Sequence, residues 1–136
     1  MTHQLRDLTR RHDIAVLLAG VSGAGALGLA LALAIGAESI GASPTFATAA
    51  EFAPITTWAV GFTFAGLVVL SCLARRPDEL ALALIVLALL TLAWAAFAAA
   101  SIAGGGLTTG VVAYLVIAAF EGVAALAAVR RAEDRR

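Results

Sequence analysis

Residues 113–131 read AYLVIAAFEGVAALAAVRR, a stretch with the length and composition of a membrane-spanning helix. Apolar side chains fill it on all sides and two arginines close it, but one carboxylate, Glu121, interrupts the run. A helix of about 20 apolar residues is what ~30 Å of hydrocarbon requires. The stretch therefore predicts a membrane protein and raises the question of how Glu121 is accommodated.

The whole chain has the composition of the membrane class. Of its 136 residues, 62% are hydrophobic and 13% are charged, whereas soluble domains are about 25% charged. Apolar runs lie at about 14–35, 55–74, 80–103 and 107–129. Little chain remains for anything else. We therefore predict a single four-helix transmembrane domain over residues 1–136, an all-α integral membrane protein with antiparallel spans.

The positive charges predict the orientation of the spans. All nine basic residues are arginines, and they precede the first span, separate the second from the third, and follow the fourth: Arg6, Arg10, Arg11, Arg75, Arg76, Arg130, Arg131, Arg135 and Arg136. Basic residues near span ends stay cytoplasmic, so we expect both termini inside, with these arginines near anionic lipid. The first run exceeds the ~7–15 residues of a signal-peptide core, so we expect a retained span rather than a cleaved one.

Two features outside the apolar runs suggest helix ends. Asp13 precedes the first span, and we expect it at the N-terminus of that helix, where a carboxylate is favourable. Pro44 follows a serine that can cap a helix, which predicts a short surface helix over about 44–53 in the first outer loop. Phe46 and Phe52 of that helix are expected to face lipid.

Small residues repeat every four positions along the first span. This small-residue ridge consists of Gly20, Ala24, Gly28, Ala32 and Gly36. Side chains of this size let another helix backbone approach closely, which drives helix association when both surfaces are apolar. The ridge predicts either packing within the bundle or self-association between copies of the chain.

Helical periodicity places Glu121 on a face of small residues that also carries Gly110 and Tyr114, with valines and leucine opposite. We therefore predict that Glu121 points into protein and forms a polar site with Tyr114. A charged acid at mid-span costs about 3 kcal/mol, so we expect the neutral acid, able to donate a hydrogen bond. The hydroxyls available on other spans are those of Ser22, Thr63, Ser71 and Thr91.

Two roles for Glu121 stay open on this reasoning. The neutral acid can pin one helix to another, or it can line a water-filled path and take part in proton-dependent gating. Which role applies depends on whether its face closes against this chain's own spans or against another subunit.

The sequence lacks the motifs of the common enzyme classes. It contains no nucleophile–base arrangement, and Gly104–Gly106 lacks the Lys and Ser/Thr of a phosphate-binding loop. His3 and His12 are well separated, and Cys72 is the single cysteine, so neither a thiol cluster nor an internal disulfide can form. We predict a non-enzymatic protein with no cofactor, no metal and no nucleic-acid partner.

A sparse pattern resembles a known class. The residues are Ser43-Pro44-Thr45-Phe46, Ala53-Pro54, Trp58, Gly61-Phe62 and Gly66. They are similar to the second-span region of small four-helix membrane proteins encoded by actinobacterial phages, some of which are called holins. The likeness covers residues 43–66, the four-span layout and the arginine-rich tail. It implies a holin-like protein that accumulates in the host inner membrane, forms homo-oligomers and permeabilises that membrane during phage lysis.

Two other functions fit the same residues. The chain could be an accessory or assembly partner, with Glu121 pairing with another membrane protein. It could also be a small proton-coupled transporter that uses Glu121. Small four-span exporters resemble it in size, but they carry their essential acid in the first span, which here holds no Asp or Glu after Asp13.

Overall fold

Four long helices make up most of the computed structural model, which describes residues 2–100 and 109–133, with side chains at 14–44, 46–99 and 111–133. No strand occurs among these residues. The helices are α1 (Thr2–Ile35), α2 (Ala37–Gly41), α3 (Ala47–Phe52), α4 (Ile55–Arg75), α5 (Leu80–Ala100) and α6 (Thr109–Glu133), with a 3-10 turn at Pro44–Phe46 before α3.

Each long helix contains a segment able to cross a bilayer. These segments are Ile14–Ile35, Ile55–Arg75, Leu80–Ala99 and Val111–Glu133. The prediction of an all-α membrane protein with four spans is therefore confirmed. The predicted connection at Gly104–Gly106 lies outside the described residues.

The first helix begins earlier than the sequence indicated. α1 has 34 residues, so it is about 51 Å long and extends well beyond the ~30 Å of hydrocarbon. Asp13 lies inside this helix rather than at its N-terminus, so that expectation was wrong. The physical reason is that no proline or glycine interrupts residues 2–13, and the helix continues through them.

The long helices form an antiparallel bundle in which α1 packs against α4 and α6, and α5 packs against the same two helices. The short connection after Arg75 makes α4 and α5 antiparallel neighbours. Large apolar side chains cover the outside, including Leu17, Leu31, Phe64 and Val116. Such a surface suits hydrocarbon rather than water.

The backbones of α1 and α4 come into contact at two glycines, Gly23 and Gly66. A Cβ added at Gly66 would lie 2.9 Å from the Gly23 carbonyl oxygen and 3.1 Å from Leu27. A Cβ at Gly23 would lie 3.3 Å from the Gly66 carbonyl oxygen. The two backbones touch because neither position carries a side chain, which is the small-residue packing expected in membranes.

The first loop folds back onto the bundle through aromatic contacts. The Trp58 indole Nε1 donates a hydrogen bond to the Ala49 carbonyl oxygen of α3 at 3.1 Å. Phe46 stacks on Trp94, with ring centroids 5.2 Å apart. Phe46 therefore does not face lipid, and that prediction was wrong, because the loop is anchored to α4 and α5. Phe52 is 69% exposed.

Gly66→Ala tests the glycine contact. We expect it to lower the free energy of unfolding by about 1–3 kcal/mol, because the new methyl group meets backbone that cannot turn away. Gly122→Ala is the matched control, since a Cβ there meets nothing within 4 Å. Unfolding in detergent micelles measures both. Equal stability of the two variants would contradict the contact.

Trp58→Phe tests the tether of the loop. The change removes the indole N–H that bonds Ala49, and we expect a loss of about 0.5–1.5 kcal/mol beyond the packing loss. Trp94→Phe is the control, because Trp94 is also buried but its Nε1 bonds to nothing within the described residues. Faster amide hydrogen exchange of residues 47–52 in Trp58→Phe alone is the expected result. Equal exchange in both variants would show that the indole bond does not hold α3.

Candidate functional site

Glu121 lies in the interior of the bundle although it occupies the middle of a span. Its side chain is 2% exposed. Neighbours on its face of α6, such as Ala118 and Ala125, are buried, whereas Val116 and Val123 on the far side are exposed. Alanines leave room for a carboxyl group between helices. The face that carries Glu121 thus closes against this chain's own spans.

Thr91 of α5 lies beside this acid, since both residues line the same cavity. The Thr91 Oγ1 donates to the Leu87 carbonyl oxygen at 3.0 Å. A hydroxyl has one hydrogen, so with that hydrogen given to Leu87 only its lone pairs remain for Glu121. This arrangement favours a neutral acid that donates to Thr91.

The second carboxyl oxygen and a nearby hydroxyl lack such partners. Glu121 Oε2 and Ser22 Oγ are both buried and make no hydrogen bond within the part of the chain that the structure describes. Ser22 lies on α1 and is 4% exposed. Unsatisfied buried polar atoms are costly, on the order of 1–3 kcal/mol each. These two atoms are therefore the ones best placed to contact a guest molecule or water.

Both atoms belong to residues that line one cavity of about 320 Å³. Its walls come from all four spans, and its polar residues are Ser22, Thr91 and Glu121. The remaining walls are small or apolar: Val21, Gly25, Ala26, Leu29, Phe62, Val116, Ile117 and Phe120. Three of these, Val21, Val116 and Ile117, are exposed on the outside of the bundle. The cavity therefore opens between α1 and α6, along what we term the α1–α6 seam.

Tyr114, which the sequence analysis grouped with Glu121, lies elsewhere. It makes an edge contact with Trp94, with ring centroids 6.1 Å apart, and is not among the residues that line the cavity. The two side chains share a helix face but are separated by seven residues, about 10 Å along the axis. The residue that lies beside Glu121 is instead Thr91, one of the four hydroxyl residues on other spans that the sequence offered.

Two of the other hydroxyl residues, Thr63 and Ser71, do not line this cavity. Thr63 Oγ1 donates to the Ala59 carbonyl oxygen within its own helix at 2.8 Å, and Ser71 is exposed. Sequence reasoning could not choose among these hydroxyls, because the choice depends on which helices are neighbours.

The small-residue ridge lies mostly on the outside of the bundle. Ala24, Gly28 and Ala32 are exposed, and a Cβ at Gly28 would meet nothing within 4 Å. Gly20 approaches Leu73, and Gly36 approaches Ile40, at the two ends. The middle of the ridge therefore does not pack within this bundle and is open to lipid or to another helix.

The predicted basic residues lie at helix ends. Arg75 is in the last turn of α4, and Arg130 and Arg131 are in the last turn of α6. Arg76 is paired with Glu79 at 3.2 Å. Arg10 and Arg11 belong to the extension of α1 before its span, and their side chains are not described. The antiparallel order places these ends on one side of the bundle, and the cytoplasmic assignment of that side stays a prediction.

The sequence matches no protein-family model, no curated protein and no solved structure. Within the described ranges, no group of three His, Cys, Asp or Glu residues could hold a metal ion. The fold defines a multi-pass helical membrane protein, and the cavity that holds Glu121 is the candidate site within the described residues.

Glu121→Gln tests the protonation state inferred from the Thr91 contact. An amide is nearly isosteric with a neutral acid and can donate to Thr91 as the acid does. We expect a change in unfolding free energy of less than about 1 kcal/mol, against a larger loss for Glu121→Lys, which buries an unpaired charge. Thermal unfolding in micelles measures both variants. A loss in Glu121→Gln as large as in Glu121→Lys would show that the ionised form is required.

Proposed function

We propose that the protein is a holin-like membrane protein that self-associates in the bacterial cytoplasmic membrane and makes it permeable. The observation that carries the proposal is the convergence of Ser22, Thr91 and Glu121, from three spans, on one cavity at the α1–α6 seam. In the closed bundle these polar groups are hidden from lipid. The folded chain can therefore accumulate without exposing them.

In this proposal, the protein becomes permeable when α1 separates from α6. The seam already contains a cavity, so fewer contacts are lost there than at the glycine contact of α1 with α4. Opening exposes a carboxyl group and hydroxyls on three helices, and water can then satisfy the atoms that lack partners in the closed bundle. A polar strip of this kind stabilises a water-filled path.

Self-association is supported by the exposed part of the small-residue ridge. Ala24, Gly28 and Ala32 present a strip along α1 that another helix can approach closely. The chain's own tight contact uses Gly23 and Gly66 instead, so the ridge is left available to a second copy.

Gly28→Leu tests the ridge. We expect it to reduce both Förster transfer between C-terminally labelled copies in liposomes and the loss of membrane potential after induced expression, because the larger side chain keeps the helices apart. Gly122→Leu is the matched control, since it adds the same side chain at another open position.

Glu121→Leu should also reduce the leak, because opening would then expose an apolar side chain to water.

Three outcomes would contradict the proposal or replace it. If membrane potential is unaffected at high expression of the wild-type protein, it does not permeabilise the membrane. A stable complex with another membrane protein, without leak, would indicate the accessory function. Proton-driven transport that Glu121→Gln abolishes would indicate a transporter.

A further inference from the structure

The cavity at the α1–α6 seam has the size and lining of a site for a small organic molecule. Its volume of about 320 Å³ is roughly twice the ~150 Å³ of an apolar cavity that takes up benzene. Ligand sites are commonly ~300–1,000 Å³, mostly apolar, with a few polar groups that fix orientation. The lining here has that composition, with Phe62, Leu29 and Phe120 among the apolar walls.

We propose that this cavity binds a small lipophilic amine that enters from the bilayer, with Glu121 as its counter-ion. The chemistry of the buried atoms selects this ligand class. Glu121 Oε2 and Ser22 Oγ are buried and have no hydrogen-bond partner within the described chain. An ammonium group has three donors and no acceptor, so it can donate to both atoms at once.

Entry through the bilayer follows from the position of the opening. Val21, Val116 and Ile117 at the rim are exposed on the surface that faces hydrocarbon. A ligand must therefore dissolve in lipid to reach the cavity, which favours an apolar molecule in its uncharged form. A free-base amine with one or two rings meets that condition and fits the volume.

Charge forms only inside the site. The neutral amine accepts the proton of the Glu121 carboxyl group: the carboxyl O–H bond breaks, an N–H bond forms with the nitrogen lone pair, and the products are an ammonium ion and a carboxylate. The pair is neutral overall, so no net charge is left in hydrocarbon. A neutral alcohol of the same shape forms no such pair and should bind more weakly.

This site shares its cavity and Glu121 with the proposed permeabilisation but requires a different state of them. Binding requires the closed cavity, whereas the leak requires the ridge and an opened seam. A chain that binds amines without leaking, or leaks without binding them, would separate the two proposals.

The test uses the full chain in phosphatidylcholine nanodiscs and radiolabelled 1-naphthylmethylamine, with empty nanodiscs as the background. We expect saturable binding that weakens at least about tenfold in Glu121→Gln and in Gly25→Leu. Gly25 lines the cavity, and a Cβ there meets nothing within 4 Å, so leucine fills the space without a clash. 1-Naphthalenemethanol should compete at least about tenfold less well than the unlabelled amine.

Two control variants should bind as the wild type does. Glu133→Gln removes an exposed carboxylate from the same helix, and Gly122→Leu adds a leucine at an open position outside the cavity lining. Near-ultraviolet circular dichroism of the tryptophans reports folding, and Gly25→Leu decides the result if Glu121→Gln unfolds. The proposal is overturned if the wild type binds no more than empty nanodiscs, if a folded Glu121→Gln binds equally, or if the alcohol competes as well as the amine.

Discussion

The absence of water at membrane depth is the constraint on which this structure depends. Backbone groups there must bond within their own helices, which makes the chain helical. Side chains follow the same rule: Thr63 and Thr91 give their hydrogens to carbonyl oxygens of the preceding turn, and Trp58 gives its indole hydrogen to Ala49. Glu121 is turned away from lipid by the same requirement, but it is only partly satisfied. The functional proposals start from the Glu121 carboxyl oxygen that lacks a hydrogen-bond partner within the described chain.

The bundle has a tight side and a loose side. Between α1 and α4 the backbones touch at Gly23 and Gly66, and aromatic stacking fixes the first loop to α5. Between α1 and α6 a cavity remains instead. Because close packing resists rearrangement, motion should concentrate at the side with the void. Ser22, Thr91 and Glu121, which are buried polar residues of three different spans, lie on that side. The loosest packing and the candidate functional groups therefore occur together at the α1–α6 seam.

Hydropathy and charge allowed the fold class to be predicted, because a long apolar run has few alternatives to a spanning helix. The periodicity of α6 also indicated which of its faces carries Glu121. Which helix surfaces pack against each other could not be predicted from hydropathy, charge or periodicity. Tyr114 shares that face but contacts Trp94, Phe46 turns inward, and the ridge on α1 lies outside rather than against α4. Each depends on which surfaces meet, and alanine-rich helices offer many nearly equivalent surfaces.

The glycine contact bears on how this chain can diverge. Many positions in its spans hold alanine, leucine or valine, and those on the outer surface can exchange for one another at small cost. Gly66 cannot, since even one methyl group would meet the opposite backbone. Distant relatives of this chain should therefore be recognisable less by overall sequence identity than by two glycines. One glycine should lie in the first span and one in the second, at the same depth in the membrane.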